Sequence, residues 1–492
     1  LAAALAAAAV LSACMVGPDY QGPPNAAPLA SAPGASFVRV PAGSSASIDP
    51  PARWWESLGD AELTRLIDMA LADSPSLAQA EAKVRSSRAM VSEQRAGLLP
   101  KGGASALYAH ARLPSGDLSS VGGGQSTVAS PSSTASSGSA ATNLDIYSAG
   151  FDASWEIDLF GGVRRGIESA NGTFQAQEAS FQDSQVQLAS EVARNYVNLR
   201  DVQQRIRLGA ESAQVQTQAL ALTRQRRAAG TASDGDVERL LNQLSQTNAQ
   251  NVPLLAQRDQ YLDQLAILTG CEPGALDAEL SGEVETPQPQ ALVAIGDPAA
   301  MLRRRPDIRE AERQLAAANA TIGEHVADFF PSLTLFGTVG QSSTNSATLF
   351  STRNLTGVGA PSLSWNVFDI PKVAAQVRGA NADRDAAIEN YRQTVLAALQ
   401  DAEDSLSSFG HDRETLWQFT LARDSAVRAA ASTRIRYDGG TATLIDLLDT
   451  ERQRASAEQS VSQSQAQLTN AFVALQKSLG LGWGAPPPAP PP

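Results

Sequence analysis

Gly230-Thr231-Ala232-Ser233-Asp234-Gly235-Asp236 and Gly440-Thr441-Ala442-Thr443-Leu444-Ile445-Asp446 are two versions of one segment, the second 210 residues after the first. Each has a glycine that stops one helix. Each then has a Ser or Thr followed three residues later by Asp, which starts another. So each segment reverses the chain between two helices. The same offset relates Ser154-Trp155 to Ser364-Trp365, Ala170-Asn171 to Ala380-Asn381 and Gly270 to Gly480. A match without gaps over more than a hundred residues marks an internal duplication.

Upstream the repeat continues at an offset of 231, pairing Pro75 with Pro306, Glu81 with Glu312 and Pro100 with Pro331. The extra 21 residues fall in 114–142, almost all Ser, Gly, Ala and Thr, which reads as an exposed loop enlarged in the first copy. Each unit reads helix, strand hairpin, very long helix, reversal, long helix. Helices are predicted at 76–98 and 307–328, stopping at Pro100 and Pro331. Strands are predicted at about 103–112 and 146–159 in the first unit, and at 332–341 and 356–368 in the second. A tilted strand of about ten residues can cross a membrane. The alternation Phe151, Ala153, Trp155, Ile157 is suggestive, but barrel strands signal weakly.

The helices are clearer. Ile167, Phe174, Phe181 and Leu188 recur every seven residues, and Val192, Leu199 and Ile206 continue the step after a shift of four. Ile388, Val395 and Ala402 repeat it, as do Val461, Leu468 and Leu475. Seven-residue spacing is a coiled-coil seam. The proline-free span 163–228 would form a helix roughly 100 Å long at about 1.5 Å per residue. That exceeds what a domain core needs and would nearly cross a periplasm.

Composition narrows the function. The 492 residues are 43% hydrophobic and 18% charged, too apolar for disorder. A net charge of −13 argues against nucleic acid and suits a wetted duct. Cys14 and Cys271 form neither a disulfide framework nor a Cys-based zinc site, and the three histidines lie far apart. No metal or cofactor site is therefore expected. No nucleophile elbow, phosphate loop or HExxH suggests catalysis. Residues 1–13 read as the remnant of a secretory signal ending in Leu11-Ser12-Ala13-Cys14, which looks like a lipobox with Cys14 as the acylated residue. No later run of about 20 apolar residues predicts a membrane helix. The expected organisation is a signal remnant (1–13), a lipidated tether (14–52), a first repeat (53–280), a second repeat (281–483) and a proline-rich tail (484–492).

Four stretches together resemble the outer membrane factors, the TolC-like family, and within it the lipoprotein branch serving resistance-nodulation-division efflux pumps. They are Cys14-Met15-Val16-Gly17-Pro18-Asp19-Tyr20, Trp54-Trp55, Ser154-Trp155-Glu156-Ile157-Asp158-Leu159-Phe160-Gly161 and Leu302-Arg303-Arg304-Arg305-Pro306-Asp307-Ile308-Arg309. The resemblance implies a mainly α fold with membrane β. Three chains would supply four strands each to a 12-stranded β-barrel continuous with a long periplasmic α-barrel. It implies an outer-membrane homotrimer anchored in lipid, partnered by a periplasmic adaptor and an inner-membrane pump. Such a channel is a passive exit duct for drugs or other small molecules. The alternative is a periplasmic coiled-coil lipoprotein that scaffolds the envelope without a pore, and the strands discriminate, since a scaffold needs none.

Tyr437 through Asp449 resembles the family's gate segment. Asp446 and Asp449, three apart, share a helix face, and three copies would stack two carboxylate rings favouring cations. Thr443-x-x-Asp446 is equally a capping box, as is Ser233-x-x-Asp236. Arg452 matches a gate arginine of the lipoprotein branch, or makes a surface pair with Asp449. Asp236 and Tyr437 match positions that lock the closed tip, while Ala442 replaces a family arginine. Arg303-Arg304-Arg305 reads as a solvated face. Trp155 and Trp365 are membrane-interface anchors or packed side chains.

Overall fold

The computed structural model describes residues 15–32, 34–42, 44–45, 49–113, 142–282 and 284–483. Cys14, the signal remnant, most of the Ser/Gly loop and the proline-rich tail lie outside the described residues.

The described elements run β1 (Ser44–Ser45), α1 (Ala61–Asp73), α2 (Pro75–Ala96), β2 (Lys101–Leu113), β3 (Thr142–Ile157), α3 (Gly162–Ala228) and α4 (Asp234–Leu268). There follow α5 (Asp277–Leu280), β4 (Val293–Ala294), α6 (Pro298–Arg304), α7 (Pro306–Ala327), β5 (Ser332–Ser343), β6 (Leu355–Ser364), α8 (Ile370–Asp438) and α9 (Leu444–Ser478). The chain divides into two compact units. Of the described residues, one holds those within 15–20, 89–113, 142–171 and 317–384, and the other those within 21–88, 172–316 and 385–483.

In the first unit β2, β3, β5 and β6 form one antiparallel sheet in that order. Register assigns each residue a face. Ala104, Phe151, Val339 and Gly357 lie in one row, and Trp155, Leu335 and Pro361 in another of the same face. From Tyr147 onward this odd-numbered side of β3 is apolar: Tyr147, Ala149, Phe151, Ala153, Trp155 and Ile157. The even side carries Ser148, Asp152, Ser154 and Glu156, beside Thr334 and Thr338 of β5. The apolar side is uncovered, with Phe151 68% exposed. At one end Tyr108 stacks on Tyr147 with centroids 4.8 Å apart. At the other the indoles of Trp155 and Trp365 donate to the carbonyls of Leu98 (2.9 Å) and Phe329 (3.1 Å). Tyr147 and Trp155 are separated by about 26 Å of strand at roughly 3.3 Å per residue.

Two strands end earlier than predicted. β3 stops at Ile157 because Asp158 turns to accept from the amides of Val163 (3.3 Å) and Arg164 (3.0 Å), starting α3. β6 stops at Ser364, before the 3-10 turn Val367–Asp369 that leads into α8.

In the second unit α1 shows why these helices form. Asp60 caps it, accepting from the amides of Glu62 and Leu63, and Leu63, Leu66, Ile67 and Ala70 share its buried face. They join a core with Trp54, Tyr196, Leu199, Phe409, Phe472 and Leu475. Trp54 meets Trp55 and Phe472 edge-on at 5.7 and 6.0 Å. The seam residues Leu188, Val192, Leu199, Val395, Ala402, Val461, Leu468 and Leu475 are all buried.

One expectation is corrected. The arginine run is not a solvated face. Arg303 is exposed, but Arg304 Nε donates to the Leu479 carbonyl (3.1 Å) and Arg305 Nη1 to the Ser478 carbonyl (2.6 Å). Both satisfy groups that the end of α9 leaves open. Parts of the segment after Cys14 are docked on the fold. In the second unit Phe37 is buried, and Glu403 accepts from the amides of Val38 (2.7 Å) and Arg39 (2.8 Å). The Pro/Gly/Ser composition is compatible with docking once a carboxylate collects the backbone donors.

Candidate pore tip

The two reversals lie in the second unit and share one backbone plan. After α3 the amide of Thr231 donates to the Arg226 carbonyl (2.8 Å) and that of Gly230 to Arg227 (2.9 Å). After α8 the amides of Thr441 and Gly440 donate to Arg436 (2.8 Å) and Tyr437 (3.0 Å). Both are Schellman closures, with Gly230 at φ +74° and Gly440 at +73°, where a side chain is disfavoured.

Each reversal then enters a capping box. Asp446 N donates to Thr443 Oγ1 (3.1 Å) and Thr443 N to Asp446 Oδ2 (3.0 Å). Ser233 and Asp236 repeat this at 3.1 and 3.2 Å. The Thr443 amide, and then its hydroxyl, hold the Asp446 carboxyl below the usual range. For Asp236 the Ser233 hydroxyl does most of this, followed by the Ser233 amide. Asp236 also pairs with Arg239. A small cluster of Ala219, Leu220, Val237, Leu240 and Leu448 holds α3, α4 and α9 together at this end.

Asp449 is exposed and one turn deeper. It accepts from Arg452 Nη2 (2.7 Å) and Gln453 Nε2 (2.9 Å). Within one chain, Arg452 therefore makes the surface pair with Asp449. Tyr437 Oη accepts from Arg226 Nη2 at 3.5 Å, which brings α3 and α8 together, and Asp236 is not its partner within the chain. Asp446, Asp449, Arg452 and Tyr437 thus lie at one end of the hairpins, with Asp236 at the matching turn of the other. Among the described residues, no group of three His, Cys, Asp or Glu could hold a metal ion.

Sequence reasoning missed other buried cations. Arg165 is 1% exposed and gathers backbone carbonyls near the N-terminus. Arg200 lies over the Tyr196 ring and donates to the carbonyls of Leu280 (3.1 Å) and Gly282 (2.8 Å). Their burial depends on contacts distant in sequence, and no local pattern marks it.

The model of the family described as outer membrane efflux protein matches residues 66–271 and 298–481. The chain is 31% identical to the outer membrane protein OprJ of Pseudomonas aeruginosa over 482 residues, covering 98% of this chain and 95% of that one. It is 29% identical to the toluene efflux pump outer membrane protein TtgI of Pseudomonas putida, covering 96% of each. The solved outer-membrane channel OprN superposes with a TM-score of 0.82 at 32% identity, covering 96% of this chain and 100% of that one. With both halves matched and these relatives aligned along almost their whole length, the chain belongs to the outer membrane efflux protein family and is an outer-membrane channel component of an efflux pump.

Proposed function

We propose that three copies close into a passive duct through which a tripartite pump discharges drugs or other small molecules. The sheet is the observation that carries this reading. It has one uncovered apolar face, an opposite face on which β3 carries Asp152, Ser154 and Glu156, and two edges, β2 and β6, that pair with nothing within the described chain. An open edge cannot face lipid, because its amides and carbonyls would go unsatisfied. β2 and β6 run antiparallel to each other, so β6 of one copy can continue into β2 of the next. Three copies would give a 12-stranded barrel with the apolar face in lipid and Asp152, Ser154 and Glu156 lining water.

On this reading the chain performs no catalysis. Cys14 carries the acyl anchor, and an adaptor and a resistance-nodulation-division pump sit at the periplasmic side. Asp446 and Asp449, with Arg452, face the closed pore, and Asp236 and Tyr437 lock neighbouring hairpins together. Light scattering of detergent-purified protein should give three copies, and planar bilayers should show discrete conductance steps. A monomer of unchanged helix content that conducts nothing would end this reading.

A further inference from the structure

Residues 15–19 occupy a built seat in the first unit. Val16 N donates to the Phe160 carbonyl at 3.1 Å. Arg165 Nε donates to the Val16 carbonyl (3.0 Å), and Nη2 to the Gly17 carbonyl (3.3 Å) and the Asp19 carboxylate (2.6 Å). Glu168 holds the same guanidinium through Nη1 at 2.7 Å. From α7, Asn319 Nδ2 donates to the Pro18 carbonyl at 2.9 Å. Three glycines permit this approach. A Cβ on Gly17 (φ +89°) would lie 2.4 Å from the Gly323 Cα. One on Gly161 (φ +81°) would lie 2.9 Å from the Met15 Cα, and one on Gly323 would lie 2.8 Å from Arg165 Cδ.

Such a seat costs a buried guanidinium, and a loose tether would need none of it. It lies at one end of the sheet. Phe160, whose carbonyl receives Val16, stacks on Phe330 with centroids 4.6 Å apart, two residues before β5. The indole bonds of Trp155 and Trp365 mark the same end.

We propose that Phe160, Gly161, Arg165, Asn319 and Gly323 form a receptor for the chain's own segment Met15–Asp19, and that Arg165 is its positioning residue. Its role is to deliver the anchor on Cys14 to the rim of the sheet. The acyl chains then enter the leaflet at the level of the two tryptophans, and one short segment ties α3 of the first repeat to α7 of the second. This rests on the acylation of Cys14 proposed above.

The test uses full-length protein labelled in cells with a photoreactive fatty-acid analogue and purified in detergent. In the unsubstituted chain the Val16 amide should resist hydrogen exchange, and photocrosslinks should map to peptides around 155–160 and 329–332. Gly17→Ala removes no side chain of the seat, but it sets a Cβ against the Gly323 Cα and a non-glycine residue at φ +89°. It should speed Val16 exchange by about 30-fold or more and scatter the crosslinks while label incorporation stays constant. Arg165→Ala should do the same, and exchange in α3 beyond residue 172 reports whether that variant is folded. If Gly17→Ala keeps both Val16 protection and the crosslink map, the seat positions nothing and the proposal falls. If the unsubstituted chain takes up no label, the lipoprotein reading fails instead, while Val16 protection still decides whether the seat is occupied.

Discussion

Replacing Arg305 by alanine tests the reassignment of the arginine run. Its side chain is 12% exposed. It grips Asp307 through two bonds (3.0 and 2.7 Å), Asp401 at 3.0 Å and the Ser478 carbonyl at 2.6 Å. Burial opposes its charge, but Asp307 and Asp401 outweigh that and keep it firmly protonated. The contributions are unequal. Asp401 and Asp307 remain partly open to water, so losing each ion pair should cost less than about 1 kcal/mol. Ser478 is wholly buried, and leaving its carbonyl unsatisfied should cost about 1–3 kcal/mol. Together these give about 3 kcal/mol. At about 2.1 cal/mol/K of unfolding entropy per residue, a chain of this length should lose about 3 °C in Tm. Differential scanning of the detergent-solubilised protein reads this directly, with exposed Arg303→Ala expected within about 0.5 kcal/mol of the unsubstituted chain. If Arg305→Ala behaves like Arg303→Ala, the guanidinium is solvated and does not close the end of α9.

Asp446→Ala with Asp449→Ala should abolish block of bilayer conductance by a trivalent cation added from the periplasmic side; persistent block would show that these carboxylates do not face the pore. Asp236→Ala or Tyr437→Phe should raise open probability without changing ion preference, and unchanged gating in both would remove them from the lock. Burial, above all, pushes the carboxyls of Asp201 and Asp183 up. Groups raised in the fold favour stability below the ordinary carboxylate range, near pH 4, and lose it as pH rises through their folded values. Unfolding midpoints should therefore gain from these two groups as pH falls through their folded values toward about 4, and Asp201→Asn should shrink that gain. Cys14→Ser should eliminate fatty-acid labelling; residual label would place the anchor elsewhere.

The reversals and long helices were legible in the sequence because their determinants are local. Gly230 and Gly440 need a positive φ, Thr443 and Ser233 need an acid three residues on, and the seam repeats every seven. The order of the sheet was not. β3 pairs with β5, bringing Gly150 opposite Gly340, and no neighbouring residue announces a partner 190 positions away. The arginine run misled for one reason. Residue type alone suggests exposure, whereas the carbonyls of Ser478 and Leu479 supply partners from a remote part of the chain. Asp446 stayed ambiguous because a helix cap and a pore residue demand the same residue at the same turn.

The two hairpin tips copy each other's backbone but not each other's charge. Arg239, three residues past Asp236, occupies the position that Asp449 holds 210 residues later. One repeat pairs its cation back onto the cap, and the other offers an anion to Arg452. A ring built from three duplicated chains would be sixfold in its bends and threefold in its electrostatics. The bend is fixed by glycine geometry in both copies, so mutation can retune ion preference in one repeat while the other conserves the shape of the turn. Duplication has thus left this chain with a repeated frame whose two halves carry different charges at the same turn.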